Sequence, residues 1–114
     1  MVTVSFTNTR EVIALRLRGH AGSAEAGRDI ICASASLLAY TVAQMARYME
    51  SQSKLRKAPK VKLEEGDAII AMHPKSDEDY AEALHTYFVA QMGFDLLAHN
   101  YPQYVDIKHR LVGQ

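Results

Sequence analysis

Cys32 is the only cysteine in the 114-residue chain, and the residues spaced around it are the ones that could set its sulfur to work. Asp29 precedes it by three positions, Ser36 follows by four, and His20 lies twelve upstream within Gly19-His20-Ala21-Gly22. Asp29 is a good N-cap, so the pattern predicts a helix from Ile30 with Cys32 in its first turn. Free N–H groups and the positive end of the helix dipole gather there, and both favour thiolate over thiol. A free cysteine ionises near pH ~8.5, and a helix start or a nearby imidazolium can bring that down to about 3.5–7.5. A thiolate hydrolase also needs a base. The segment from Gly19 to Asp29 holds Gly19, Gly22 and Gly27 and few apolar anchors, which predicts a mobile loop able to fold His20 back onto the sulfur. That pairing would serve acyl transfer, with Asp29 as the residue that orients His20.

Each of these residues also has a plainer reading. A lone cysteine in an apolar helix is commonly a small buried hydrophobe, and a loop histidine is commonly solvated. Asp29 need do no more than cap. Ser36, one turn beyond Cys32, can simply return a hydrogen bond to a helix carbonyl.

The elements that must position these groups follow from periodicity. Val2, Val4 and Phe6 alternate with Thr3, Ser5 and Thr7, a strand with one buried face. Ile13, Leu15 and Leu17 give a second strand and, across the Asn8-Thr9 turn, a hairpin. Ile30 to Met49 reads as a helix apolar around most of its circumference, and hence buried. After a polar, basic connection from Ser51 to Pro59, Lys60–Glu64 and Ala68–His73 form a second hairpin turned by Glu65-Gly66-Asp67. Ser76 or Asp77 caps a second helix whose stripe runs Tyr80, Leu84, Tyr87 or Phe88, and Met92 to about His99. Val105, Ile107, His109 and Leu111 mark a fifth strand. The order ββ-α-ββ-α-β predicts one α+β domain over residues 1–114, two layers deep with a mainly antiparallel sheet. Periodicity does not determine the strand order.

Composition narrows the function classes. At 48% hydrophobic and 23% charged, the chain has enough apolar residues for one packed core. A single cysteine cannot form an internal disulfide, which points to the cytoplasm. The start Met1-Val2-Thr3-Val4 carries no signal-peptide pattern. The apolar run Ile30 to Met45 is interrupted by Ser34, Ser36, Thr41 and Gln44 and falls short of the ~20 residues a membrane span needs. His73, His85, His99 and His109 have no ligand spacing, so neither a metal nor a cofactor is expected, and Gly19-His20-Ala21-Gly22 lacks a nucleotide-binding pattern.

The net charge of zero hides an asymmetry: ten basic against four acidic residues through residue 62, and three against nine after it. Such a split either orients a partner or cancels within the fold. Five of the basic residues crowd into Lys54 to Lys62 without interleaved aromatics, a weak nucleic-acid signal.

The run Gly19-His20-Ala21, then Gly27-Arg28-Asp29-Ile30-Ile31-Cys32-Ala33, then Ser36, resembles the signature of the bacterial ribosomal-processing cysteine protease family, small proteins of YsxB type. The resemblance implies a small cytosolic homodimeric endopeptidase that uses a Cys-His dyad to remove a short N-terminal extension from ribosomal protein twenty-seven of the large subunit. Cys32 then matches the nucleophile, His20 the base, and Asp29 the acidic position before the nucleophile. Gly19, Gly27 and Ser36 match motif positions, and Gly22 lies in the same loop. Backbone N–H groups near the helix start, that of Cys32 among them, would hold the oxyanion. Two alternatives stand beside this reading: a non-catalytic ribosome- or RNA-associated module using Lys54 to Lys62, and a cysteine-dependent hydrolase or thiol transferase acting on a small molecule.

Overall fold

The structure, a computed structural model, describes residues 1–19 and 28–111. Seven elements follow in the order β1 (Val2–Asn8), β2 (Ile13–Arg18), α1 (Arg28–Ser51), β3 (Lys60–Glu64), β4 (Asp67–Met72), α2 (Asp77–Asn100) and β5 (Val105–Leu111). The predicted element order is the observed one. The strands form one sheet in the order β3-β4-β2-β1-β5. Three pairings are antiparallel and the fourth, β1 with β5, is parallel, so the sheet is mixed.

Register explains the two layers. Val4 stands opposite Leu17 and Phe6 opposite Leu15, while Leu15 and Ile13 on β2's other side face Ile70 and Met72. These side chains are all buried and form one face, which both helices cover. Removing each large one from water is worth about 1.5–3 kcal/mol. The intervening residues point to the opposite, helix-free face, where Asp67 meets Arg16 Nη2 at 3.2 Å and Lys62 Nζ at 2.9 Å.

Helix α1 buries Ile31, Ala35, Ala39, Val42, Ala46 and Met49, a three-and-four spacing that lines up on one face. It is not buried all round as its composition suggests: Ile30, Leu37, Tyr40 and Tyr48 are exposed. Over Ile30–Ser51 it is also long and apolar enough to cross a membrane by length and composition, so the expectation that this run falls short is corrected. Here that apolarity serves the core, because the sheet claims one face of the helix and the other remains open.

Helix α2 is capped by Ser76, whose hydroxyl accepts the Asp79 N–H at 3.1 Å. It buries Ala83, Tyr87, Ala90 and Phe94, while Phe88 and Met92 point outward. The expected stripe holds at Tyr80, Leu84 and Tyr87, which pack on the core, and fails at Met92, because small Ala90 and the ring of Phe94 take the sheet-facing positions of the second half of the helix. At the helix crossing a Cβ on Gly93 would sit 2.8 Å from Leu38 Cδ2, so the backbone approaches closely there.

Packing cancels part of the sequence's charge asymmetry. Arg16 and Lys62 from the basic half meet Asp67, and Lys54 Nζ meets Glu82 Oε1 at 2.8 Å.

Candidate active site

Cys32 is exposed on α1. Because α1 is helical from Arg28, Cys32 opens its second turn, and Asp29 lies inside the first turn rather than at the cap. The expected capping role of Asp29 is therefore corrected. Helical pairing also commits the Cys32 N–H to the carbonyl of Arg28, which removes it as an oxyanion donor and leaves the amides ahead of it.

Cys32, Ser36 and Tyr40 recur at four-residue spacing and so share one flank of α1. Buried Ala35 and Ala39 lie beside that flank and are small enough to leave room at its foot. Across from it, β1 begins at Val2, Leu17 near the end of β2 is followed by Gly19, and the β3–β4 hairpin brings Leu63, Glu64, Glu65, Gly66 and Ala68. Together these residues wall a cavity of about 300 Å³ that contains Cys32. Ser36 lines the cavity and makes no hydrogen bond among the described residues; the helix back-bond considered for it is made instead by Thr41 to the Leu37 carbonyl at 2.7 Å.

Two glycines fix the far wall. Gly66 has φ +77 in the two-residue turn between Glu64 and Asp67, a conformation L side chains rarely adopt. Gly19 has φ +96, and a Cβ there would clash with the Met1 carbonyl oxygen. The Gly19 N–H donates to the Gly66 carbonyl at 3.0 Å, tying the end of β2 to the β3–β4 turn. The chain position just before His20 is therefore anchored beside the cavity. His20, Gly22 and Gly27 lie outside the described residues, as does the loop expected between Gly19 and Arg28.

Behind the turn, the hydrogen bond from Lys62, helped by Arg16, holds the Asp67 carboxyl below the usual carboxylate range. The same bond raises the Lys62 ammonium. At the other end of the molecule, burial pushes His73 below the ordinary imidazole range, with Lys57 and Arg56 acting in the same direction. Its Nδ1 is buried without a hydrogen-bond partner among the described residues. A larger cavity of about 540 Å³ opens between α2 and the Asn8–Ile13 turn, lined by Phe6, Ile13, Leu84, Tyr87 and Phe88 with His85 and Gln91.

Sequence reading did not find Val2, Leu17, Tyr40, Leu63, Glu64 or Glu65 as site residues. Their presence follows from β4 pairing with β2, which carries the β3–β4 turn to Gly19. Periodicity reveals strands, whereas this neighbour relation depends on strand order.

Solved structures share this architecture. The Streptococcus mutans protein SMU.848 superposes with a TM-score of 0.67 at 22% identity, covering 98% of this chain and 96% of its own. The S. aureus essential ribosomal processing protease Prp in complex with a substrate peptide gives 0.67 at 19% identity. The same protease with a covalently linked product peptide gives 0.69 at 21%. Both comparisons cover 96% of this chain and all of the other. No curated protein sequence matches. Residues 1–106, which include the cavity and its cysteine, match the family model of cysteine protease Prp; the chain belongs to that family and is a cysteine peptidase.

Proposed function

We propose that this peptidase removes a short N-terminal extension from a large-subunit ribosomal protein, with Cys32 as nucleophile and His20 as its base. The observation that carries the reading is an exposed Cys32 in a cavity with an apolar floor, beside the anchored residue that precedes His20. The S. aureus protease of the same fold acts in ribosomal processing and was captured with a substrate peptide and a product peptide.

In the proposed cycle His20 takes the Cys32 proton, and the thiolate attacks the scissile carbonyl to form a C–S bond. The tetrahedral oxyanion accepts hydrogen bonds from backbone N–H groups at or before the first turn of α1. Its collapse breaks the C–N bond, and His20 gives its proton to the leaving amine. His20 then deprotonates a water that attacks the thioester, releasing the carboxylate product and restoring the thiol. Asp29, one turn ahead of Cys32, serves to orient His20. A free cysteine nucleophile persists in the reducing cytoplasm, where we place the reaction. The outward apolar residues of the two helices, Leu37 and Tyr48 with Phe88, Met92 and Leu96, support a homodimer.

The RNA-binding alternative loses support from its own segment. Lys54 pairs with Glu82, Lys62 pairs with Asp67, and Arg56 Nη2 donates to the Glu11 carbonyl at 2.7 Å.

Incubating wild type and Cys32→Ala with the ribosomal precursor, followed by intact-mass analysis, tests the function. Loss of an N-terminal fragment with wild type alone is the expected result. An intact precursor after prolonged incubation with wild type would overturn the reading.

A further inference from the structure

The helix-free face of the sheet divides by charge. Val61 and Leu63 of β3, and Val105 and Ile107 of β5, pack on the core, so Lys60, Lys62 and Lys108 stand on the other face with Arg16 of β2. Register aligns these residues in rows across the strands. One row reads Lys62, Ile69, Arg16, Ser5, Lys108, and the next, further from the Cys32 cavity, begins Lys60, Ala71, Ala14, Thr7. Neither row holds an acid. Glu64, Asp67 and Asp106 all fall in the row on the cavity side, with Arg18. Asp67 reaches both Arg16, at 3.2 Å, and Lys62, at 2.9 Å, so one carboxylate answers two cations. Lys60 and Lys108 are exposed and have no ion-pair partner among the described residues.

β3 and β5 are the two edges of the sheet, four strand spacings or about 19 Å apart, and both carry lysines. The floor between them is short and carries hydroxyls at Ser5 and Thr7. Cations on both rims of a shallow floor suit a regular polyanion broader than a single strand. Sheets hold single-stranded nucleic acid chiefly by stacking bases on aromatic side chains, and these rows contain none. A-form duplex instead offers a wide, shallow minor groove of 2′-hydroxyls flanked by phosphates, which is recognised by shape. We propose that the Lys60 to Lys108 half of the helix-free face docks the backbone of double-stranded RNA, with lysines on phosphates and Ser5 and Thr7 toward 2′-hydroxyls. This surface is not the Lys54 to Lys62 segment acting as a basic run, since Lys54 lies off the face with Glu82 of α2. It is assembled across the whole sheet. The Cys32 cavity lies beyond the acidic row and stays open, so the proposal does not depend on the role of Cys32.

The test is fluorescence anisotropy of the full chain with a labelled RNA duplex of about 20 base pairs and arbitrary sequence. Affinity should fall with salt at a log–log slope of about −3, as for three or four neutralised phosphates. Lys60→Glu/Lys108→Glu should weaken binding by about tenfold or more and flatten that slope by about two. The milder Lys60→Gln/Lys108→Gln should lie between this variant and wild type, and urea midpoints near wild type show that both are folded. Arg47→Glu/Lys75→Glu changes the net charge equally, on α1 and just ahead of α2, and should leave affinity within about threefold of wild type. Duplex DNA and single-stranded RNA of the same length should bind at least about fivefold more weakly. No binding at low salt overturns the proposal. So does an equal loss in the two charge-reversed variants, which would make the attraction one of net charge, or equal affinity for the three nucleic acids.

Discussion

Two cavities open at opposite ends of β1 and β2, and they are built differently. The larger, of about 540 Å³, lies among big side chains: Phe6 packs edge-on against Phe94 at 6.0 Å between ring centroids, and Tyr87 donates its hydroxyl to the Ile70 carbonyl at 2.8 Å. Nearby, the Tyr80 hydroxyl bonds Asn8, and Ser76 caps α2. The smaller, of about 300 Å³, is walled by alanines, glycines and a two-residue turn, and it contains Cys32. At the first end bulk supplies stability; at the second, small residues keep a reactive atom within reach. Size therefore does not mark the proposed active site. What marks it is an exposed Cys32 facing a wall whose backbone takes positive φ at Gly19 and Gly66.

This division can be broken by asking whether stability and turnover separate along it. Cys32→Ala should show the largest effect, loss of all peptide cleavage, while its urea midpoint stays near wild type because the site is an exposed helix position that tolerates Ala. Phe94→Ala should do the reverse. It deletes a fully buried ring and should cost roughly 3–5 kcal/mol, yet the turnover of the molecules that remain folded should be unchanged. A fall in kcat per folded molecule would mean that the aromatic end shapes the reactive end.

Gly19→Ala should cross the division. Its positive φ and its contact with the Met1 carbonyl predict a loss of roughly 1–3 kcal/mol by chemical denaturation, together with reduced cleavage. Gly93→Ala is the matched control, since its Cβ meets only the movable tip of Leu38 and cleavage should persist.

The smallest effect belongs to His73. Its imidazole is held below the ordinary value in the folded state, so the unfolded chain binds the proton first as pH falls. Stability from this group is complete above about pH 6.5 and is lost as pH drops through the folded-state value. His73→Gln should flatten the thermal melting curve's dependence on pH between roughly 7.5 and 5.5. An unchanged slope would assign that dependence to other groups.

The strands were legible in the sequence because period-two alternation reports a half-buried face directly: Val2, Val4 and Phe6 on β1, and Ile13, Leu15 and Leu17 on β2, all face the core. Helix phase was less legible. α1 and α2 carry apolar residues on faces that the sheet does not cover, so Met92 and Phe88 read as core although Ala90 and Phe94 occupy it. Within the site, Cys32 and the glycines flanking the loop stood out by residue type. The β3–β4 turn did not, because its place beside Gly19 depends on the β4–β2 pairing, a contact between residues about fifty apart. Asp29 was misassigned to the cap because the helix starts a residue ahead of it, and short polar residues are favoured in first turns as well as at caps.

The parallel pairing of β1 with β5 sets the order in which this enzyme can come into being. Val2 faces Val105 and Asn8 faces Leu111, so the earliest strand to be synthesised is held between β2 and the latest. The chain must therefore have emerged through Leu111 before the sheet can close, and such long-range pairing is slow compared with local hairpin formation. Val2 also walls the Cys32 cavity. The cavity at Cys32 is thus among the last parts of the sheet to be finished, and a chain lacking β5 would carry the cysteine without its complete wall.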